Sequence, residues 1–164
     1  MKIFGITGQK NSGKTNLTGR LIHEFRQRGL MVSAIKHAHH AADIDVEGTD
    51  SFHLRAQGAG QVILSTPARW ALMTELHVAA EPMLSDLIAH LEPCDIVLVE
   101  GYKTAPHPKI ECHRPETGRP LLGEGYHIIA VASTAAPETA LPVLGHDDTA
   151  ALADFVWDHA QVIR

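Results

Sequence analysis

The chain has 164 residues, 45% hydrophobic and 20% charged, the make-up of one soluble domain with a sizeable core. A net charge of -5 offers no broad attraction to nucleic acid or to an anionic membrane surface, and no apolar run reaches the ~20 residues a membrane span needs. The two cysteines, Cys94 and Cys112, form no C-x-x-C pair and suggest no disulfide framework, so a reducing cytoplasm is the expected location.

The first run, "KIFGIT" (2–7), is apolar and β-prone, and reads as a core strand rather than a secretory leader. From Gly13 to Arg28, Leu17, Leu21, Ile22 and Phe25 recur at helical spacing, and Gly29 sits where a helix-terminating glycine belongs. "MVSAIK" (31–36) is the second strand, giving the βαβ order of a parallel sheet. Residues 37–48 are polar loop, and Thr49 is placed to cap a short helix, "DSFHLRAQGA". "QVILS" (61–65) and "RWALMTEL" (69–76) flank Pro67 and suggest a hairpin. A helix is predicted over 81–91, with Met83, Leu84, Leu87, Ile88 and Leu91 on one face. "DIVLVE" (95–100) is a strand buried on both faces, with Asp95 a turn or cap residue at its start. "KIECHR" (109–114) alternates and reads as an edge or half-buried strand, followed by a turn-rich loop (114–125). "HIIAVAS" (127–133) is a further buried strand, and a last helix runs from Asp148 to His159, with Leu152, Phe155, Val156 and Trp157 toward the core.

These elements predict a P-loop NTPase-like three-layer α/β fold, a mostly parallel sheet with antiparallel edge strands added by 61–76 and 109–114. With no repeat and no boundary signal, one nucleotide-binding domain over 1–164 is expected. Exposed edge strands offer a route to a homodimer.

The residues that carry chemistry begin with Gly8, Gln9, Lys10, Asn11, Ser12, Gly13, Lys14 and Thr15, which fit G-x-x-x-x-G-K-[ST] between a strand and a helix. Glycines there let backbone N–H groups close on phosphates, and the helix aims its positive end at them. Lys14 is expected to reach the β- and γ-phosphates and the Thr15 hydroxyl to ligate Mg²⁺. Lys10 lies inside the loop, but the motif does not need it, and a solvated lysine is its simpler reading. Glu100, at the end of "DIVLVE", is placed to contact Mg²⁺ or to position the attacking water, so Lys14 and Glu100 are the catalytic candidates. Lys36 ends the second strand and is a phosphate-facing candidate. Asp43, Asp45 and Asp50 follow it; for Asp50, helix capping competes with metal ligation. Of twelve histidines, His37, His39 and His40 cluster past a strand end without a closed-site metal spacing, which leaves ligand contact or loop structure as their role. Cys94 and Cys112 read as buried small residues rather than nucleophiles.

"GQKNSGKT", "KHAHHAADIDVEGTDS", "RWALMTE", "DIVLVEGYK", "PKIECHR" and "IIAVAS", in this order, resemble the molybdopterin-guanine dinucleotide biosynthesis protein B family over nearly the whole chain. The resemblance implies a GTP-binding, weakly GTP-hydrolysing dimer. It would act as an adaptor for the guanylyltransferase that joins GMP to molybdopterin, with molybdopterin itself a possible ligand. It implies a nucleotide site from Gly8 to Thr15, surrounded by His37, His39, His40, Asp43, Asp45, Asp50, Glu100, Tyr102 and Lys103. Lys103 and Lys109 become candidates to hold a pterin phosphate or a partner protein. The architecture is also similar to dethiobiotin synthetase, which implies Thr15, Asp50 and Glu100 as the metal ligands and leaves an ATP-dependent enzyme as the alternative. A histidine-using metallochaperone GTPase is the other alternative. The N-K-x-D reader of guanine is missing: Thr134, Ala135, Ala136 and Pro137 follow "AVAS", and base contacts are expected between Ser133 and Asp147. Arg55, Arg69 and Arg114 are arginine-finger candidates, but no glutamine is evidently placed to orient water, so hydrolysis is expected to be slow.

Overall fold

Large apolar side chains at Ile3, Phe4 and Ile6 favour an extended segment covered on both faces, and β1 (Lys2–Gly8) is buried from Ile3 onward. Helix α1 (Lys14–Gln27) turns Leu17, Leu21 and Phe25 inward at four-residue spacing, each fully buried and worth about 1.5–3 kcal/mol. It ends where Gly29 takes φ 82° and its amide donates to the Arg26 carbonyl. The chain continues through β2 (Val32–Lys36), α2 (Asp50–Ala56), β3 (Gln61–Ser65), β4 (Trp70–Thr74), α3 (Leu84–Ile88) and β5 (Ile96–Glu100). Then come β6 (Lys109–His113), β7 (Ile128–Ser133), β8 (Val143–Gly145), α4 (Thr149–His159) and β9 (Gln161–Val162). This is a computed structural model, and it describes residues 1–38 and 45–163. Two compact units are present: Met1–His37 with Leu84–Arg164, and Ala38–Met83.

The first unit is a seven-stranded sheet in the order β2-β5-β1-β6-β7-β8, every neighbouring pair parallel, with β9 added antiparallel to the start of β1. One face packs Phe4, Ile6, Leu98, Ile110 and Cys112 against α1 and against Leu152 and Val156 of α4. The other face gathers Ile3, Val97 and Val99 with Ile35, Leu84 and Ile88. Asp95 accepts the Met31 amide at 2.7 Å, the turn role its position suggested. β1 lies in the middle of the sheet, so its carboxyl end opens between the ends of β5 and β6.

The second unit is α2 with the β3–β4 hairpin, which forms its own two-stranded sheet. Thr49 caps α2 as expected, its hydroxyl accepting from the Phe52 amide. Arg55 holds the unit together: its Nη1 lies 2.7 Å from Glu75 Oε1 and its Nε 3.3 Å from Asp45 Oδ2.

Three expectations are corrected. The hairpin is not an added edge of the main sheet. Residues 109–114 are not an edge either: β6 is an interior parallel strand, with Lys109, Ile110, Glu111 and Cys112 all buried. Its alternation separates two buried faces, not a wet face from a dry one. The helix over 81–91 contracts to Leu84–Ile88 with a turn to Leu91, because Pro82 disfavours helix at Glu81, and Met83 is exposed.

Candidate functional site

The site is assembled where β1 passes through residues 9–13 into α1. Gly13 is the N-cap of α1 at φ 92°, and no side chain caps the helix, so its first-turn amides remain available to an anion. A Cβ at Gly13 would lie 3.0 Å from His146 Nε2 and 3.1 Å from Arg114 Nε, which explains glycine there twice over. Lys14 spans the loop, its Nζ donating to the carbonyls of Gly8 (3.1 Å) and Gln9 (2.6 Å). Burial lowers the Lys14 pKa, and the neighbouring Glu100 carboxylate works against that fall.

Thr15 Oγ1 donates to Glu100 Oε1 at 2.8 Å. Lys36 Nζ donates to Thr15 Oγ1 at 3.2 Å and lies 3.2 Å from the same Glu100 oxygen. Glu100 is buried, and a cavity of about 390 Å³ opens over it, lined by Lys10, Asn11, Gly13, Lys14, Thr15 and Asn16. The hydroxyl and carboxylate oxygens suit a hard cation: two adjacent ligands of an octahedron with bonds of about 2.1 Å stand about 3 Å apart. The Thr15–Glu100 pair therefore fits Mg²⁺ with little rearrangement.

Around this centre, the His37 ring stacks on Tyr102 with centroids 4.7 Å apart, and the His37 amide donates to the Glu100 carbonyl at 2.9 Å. Gly101 makes that approach possible, since a Cβ there would fall 2.9 Å from His37 Cβ. Lys103 follows, half-buried. The Ser12 hydroxyl is buried and finds no partner among the described residues.

Gly8 to Thr15, Lys36 and Glu100 are thus brought together in the first unit, with His37 and Tyr102 beside the Glu100 backbone. Asp45 and Asp50 belong to the second unit. Asp45 Oδ1 accepts from Thr49, Ser51 and the Val46 amide, while Asp50 is the exposed first residue of α2. His39, His40 and Asp43 lie outside the described residues. Among the described residues, no group of three His, Cys, Asp or Glu side chains is placed to hold a metal.

Lys109 corrects another expectation. It is buried and is not available to an external phosphate, because its Nζ donates to the carbonyls of Ala105, His107 (3.0 Å) and Tyr126 (3.1 Å). Burial pushes its pKa down to about 8. Burial pushes the Cys112 thiol up to about 12, which keeps it protonated and inert.

Sequence reasoning did not single out His146, which is 1% exposed and follows β8, with its Nδ1 3.1 Å from Asp147. Arg20 fixes it by donating from Nη2 to the His146 carbonyl at 2.6 Å. The only sequence signal was position, just past the carboxyl end of a strand.

A mostly parallel sheet with a G-x-x-x-x-G-K-T loop entering a helix beside a strand-end carboxylate defines an α/β protein with its candidate site at the carboxyl ends of the strands. Residues 3–134 match the family described as molybdopterin guanine dinucleotide synthesis protein B. The molybdopterin-guanine dinucleotide biosynthesis adapter protein of Haemophilus influenzae is 40% identical, over 96% of this chain and 89% of its own length. Its Escherichia coli counterpart is 39% identical, over 97% and 93%. The crystal structure of Bacillus subtilis MobB superimposes with a TM-score of 0.76 at 26% identity, covering 99% of this chain and all of that one. The chain belongs to the molybdopterin guanine dinucleotide synthesis protein B family, the biosynthesis adapter proteins.

Proposed function

We propose that the protein binds GTP with Mg²⁺ in the loop from Gly8 to Thr15, and that it serves as adapter to the guanylyltransferase that joins GMP to molybdopterin. The observation that carries the reading is the 2.8 Å contact of Thr15 with Glu100, with Lys36 against both oxygens. The loop amides and the first turn of α1 take the phosphates, and Lys14 leaves the Gly8 and Gln9 carbonyls for the β- and γ-oxygens. In this reading Thr15 and Glu100 would hold the Mg²⁺. The ion supplies charge that offsets the phosphates.

Slow hydrolysis follows from the same contacts. The carboxylate nearest the phosphates is engaged by Thr15 and Lys36, and is poorly placed to activate water. Selection of guanine rests on the family, whose base contacts we place after β7 and β8. A homodimer, contact of molybdopterin or the partner with His37, Tyr102 and Lys103, and a cytoplasmic location belong to this reading. The free thiols of Cys94 and Cys112 suit that location.

The test is calorimetric titration with GTP and with ATP, each with Mg²⁺. Tighter GTP binding, abolished in a folded Lys14→Ala variant, is expected. Unchanged affinity in that variant refutes the loop assignment, and a preference for ATP turns the search to an acceptor substrate of a synthetase-like enzyme.

A further inference from the structure

Ile110 and Cys112 of β6 pack against α1, so Glu111 between them faces the other side of the sheet. There the connection from β6 to β7, residues 114–127, carries only a 3-10 turn at Pro115–Thr117. A cavity of about 1070 Å³ opens beside it, just above the roughly 300–1,000 Å³ of ordinary small-molecule sites. Its walls are mostly apolar and include Leu121, Tyr126, Ile128, Val131 and Leu141. Its fixed charges have one sign. Glu111 is 2% exposed, Glu124 and Glu138 stand exposed at the margin, and among the described residues no lysine or arginine lines the cavity. Of the two lining imidazoles, His113 bonds the Ser133 hydroxyl at 3.2 Å and His127 is exposed. Among the described residues Glu111 has one donor, the Leu122 amide, shared between its oxygens at 2.9 and 3.2 Å, which leaves most of its acceptor capacity unused. Lys103 acts on Glu111 as a charge from outside the lining, and burial outweighs it, pushing the Glu111 pKa up.

We propose that this cavity binds an apolar organic cation, an ammonium group on a ring-bearing body, with the ammonium on Glu111 and the body among the apolar walls. A buried carboxylate is costly without a charge partner, and a cation that carries N–H donors supplies both the charge and the missing hydrogen bonds. A neutral donor supplies only the hydrogen bonds, so charge is the property the site selects. Anions, phosphate-bearing compounds among them, are repelled by Glu111, Glu124 and Glu138 together. No residue from Gly8 to Thr15 lines the cavity, so the proposal stands whether or not the loop binds a nucleotide.

The test titrates the full chain by calorimetry with tryptamine, tryptophol and indole-3-propionate, which put a cation, a neutral hydroxyl and an anion on the same indole body. Tryptamine is expected to bind at least about tenfold more tightly than tryptophol, the gain of a charge-assisted hydrogen bond, and indole-3-propionate not at all. Glu111→Gln keeps the shape and an oxygen for the Leu122 amide but removes the charge. It is expected to bring tryptamine down to the affinity of tryptophol without lowering thermal stability, a change of selectivity that a merely structural role would not produce. Glu138→Lys, at an exposed position, is expected to weaken tryptamine and to strengthen indole-3-propionate. No binding of tryptamine, tryptophol bound as tightly, the anion bound more tightly, or a preference for tryptamine unmoved by Glu138→Lys or by folded Glu111→Gln overturns the proposal. Lys14→Ala is expected to leave tryptamine affinity unchanged, which separates failure here from failure of the nucleotide reading.

Discussion

His107 gives the fold a measurable sensitivity to acid. The ring is 3% exposed, and it abuts the backbone of β1 so closely that a Cβ on Gly5 would fall 2.6 Å from its Nε2. That nitrogen has no partner among the described residues. Burial first, then the charges of Lys109 and His127, pushes the His107 pKa from 6.5 down to about 4. Between these values the unfolded chain takes up a proton that the folded chain refuses. The stability is therefore complete above the unfolded value and is lost as pH falls toward the folded one. At about 1.4 kcal/mol per pH unit of separation, His107 alone removes about 2 kcal/mol between about pH 7 and about pH 5. That is a sizeable part of the 5–15 kcal/mol, roughly, that holds a typical domain folded. Urea unfolding of the wild type and of His107→Gln at both pH values isolates the contribution, because the other histidines cancel in the difference. The wild type is expected to lose about 2 kcal/mol more than the variant on acidification. Equal losses, or an NMR titration placing the His107 proton near its ordinary value, would refute the reasoning.

Lys109→Met leaves the carbonyls of Ala105, His107 and Tyr126 without their donor; at about 1–3 kcal/mol for each buried acceptor, a loss of at least about 3 kcal/mol in urea unfolding is expected. Glu100→Gln can still accept from Thr15, so the fold is expected to persist while the Mg²⁺ dependence of nucleotide affinity collapses in calorimetry; unchanged Mg²⁺ dependence would make Glu100 structural. Arg55→Ala separates Asp45 from Glu75, and hydrogen exchange is expected to quicken in β3 and β4 while β1 and β5 keep their protection.

The strand–loop–helix at the amino end was legible because each level agrees there. Buried apolar residues, glycines and helical spacing all point to one local structure. Thr49 was legible as a cap for the same reason: the contact it makes is local. β6 was misread because charge in a strand normally marks solvent. Lys109 is instead buried among carbonyls brought from the loop before it and from Tyr126, and Glu111 under a connection that lacks a helix. β8 and β9 are too short to carry a pattern of their own, and exist because β7 and β1 offer them open partners. Arg114 and His146 meet at Gly13 from the ends of two strands, a convergence that only the sheet order creates.

The central place of β1 has a consequence for how the protein is made. It precedes the other strands of the sheet in the chain, yet Lys2 pairs with Ile96 of β5 and with Val162 of β9, and Gly5 with Lys109 of β6. At roughly 5–20 residues per second, Ile3, Phe4 and Ile6 wait about 5–20 s before their first strand partner is synthesised. Throughout that interval this apolar strand has neither of its neighbours, which makes the nascent chain far more exposed to mispairing than the finished one.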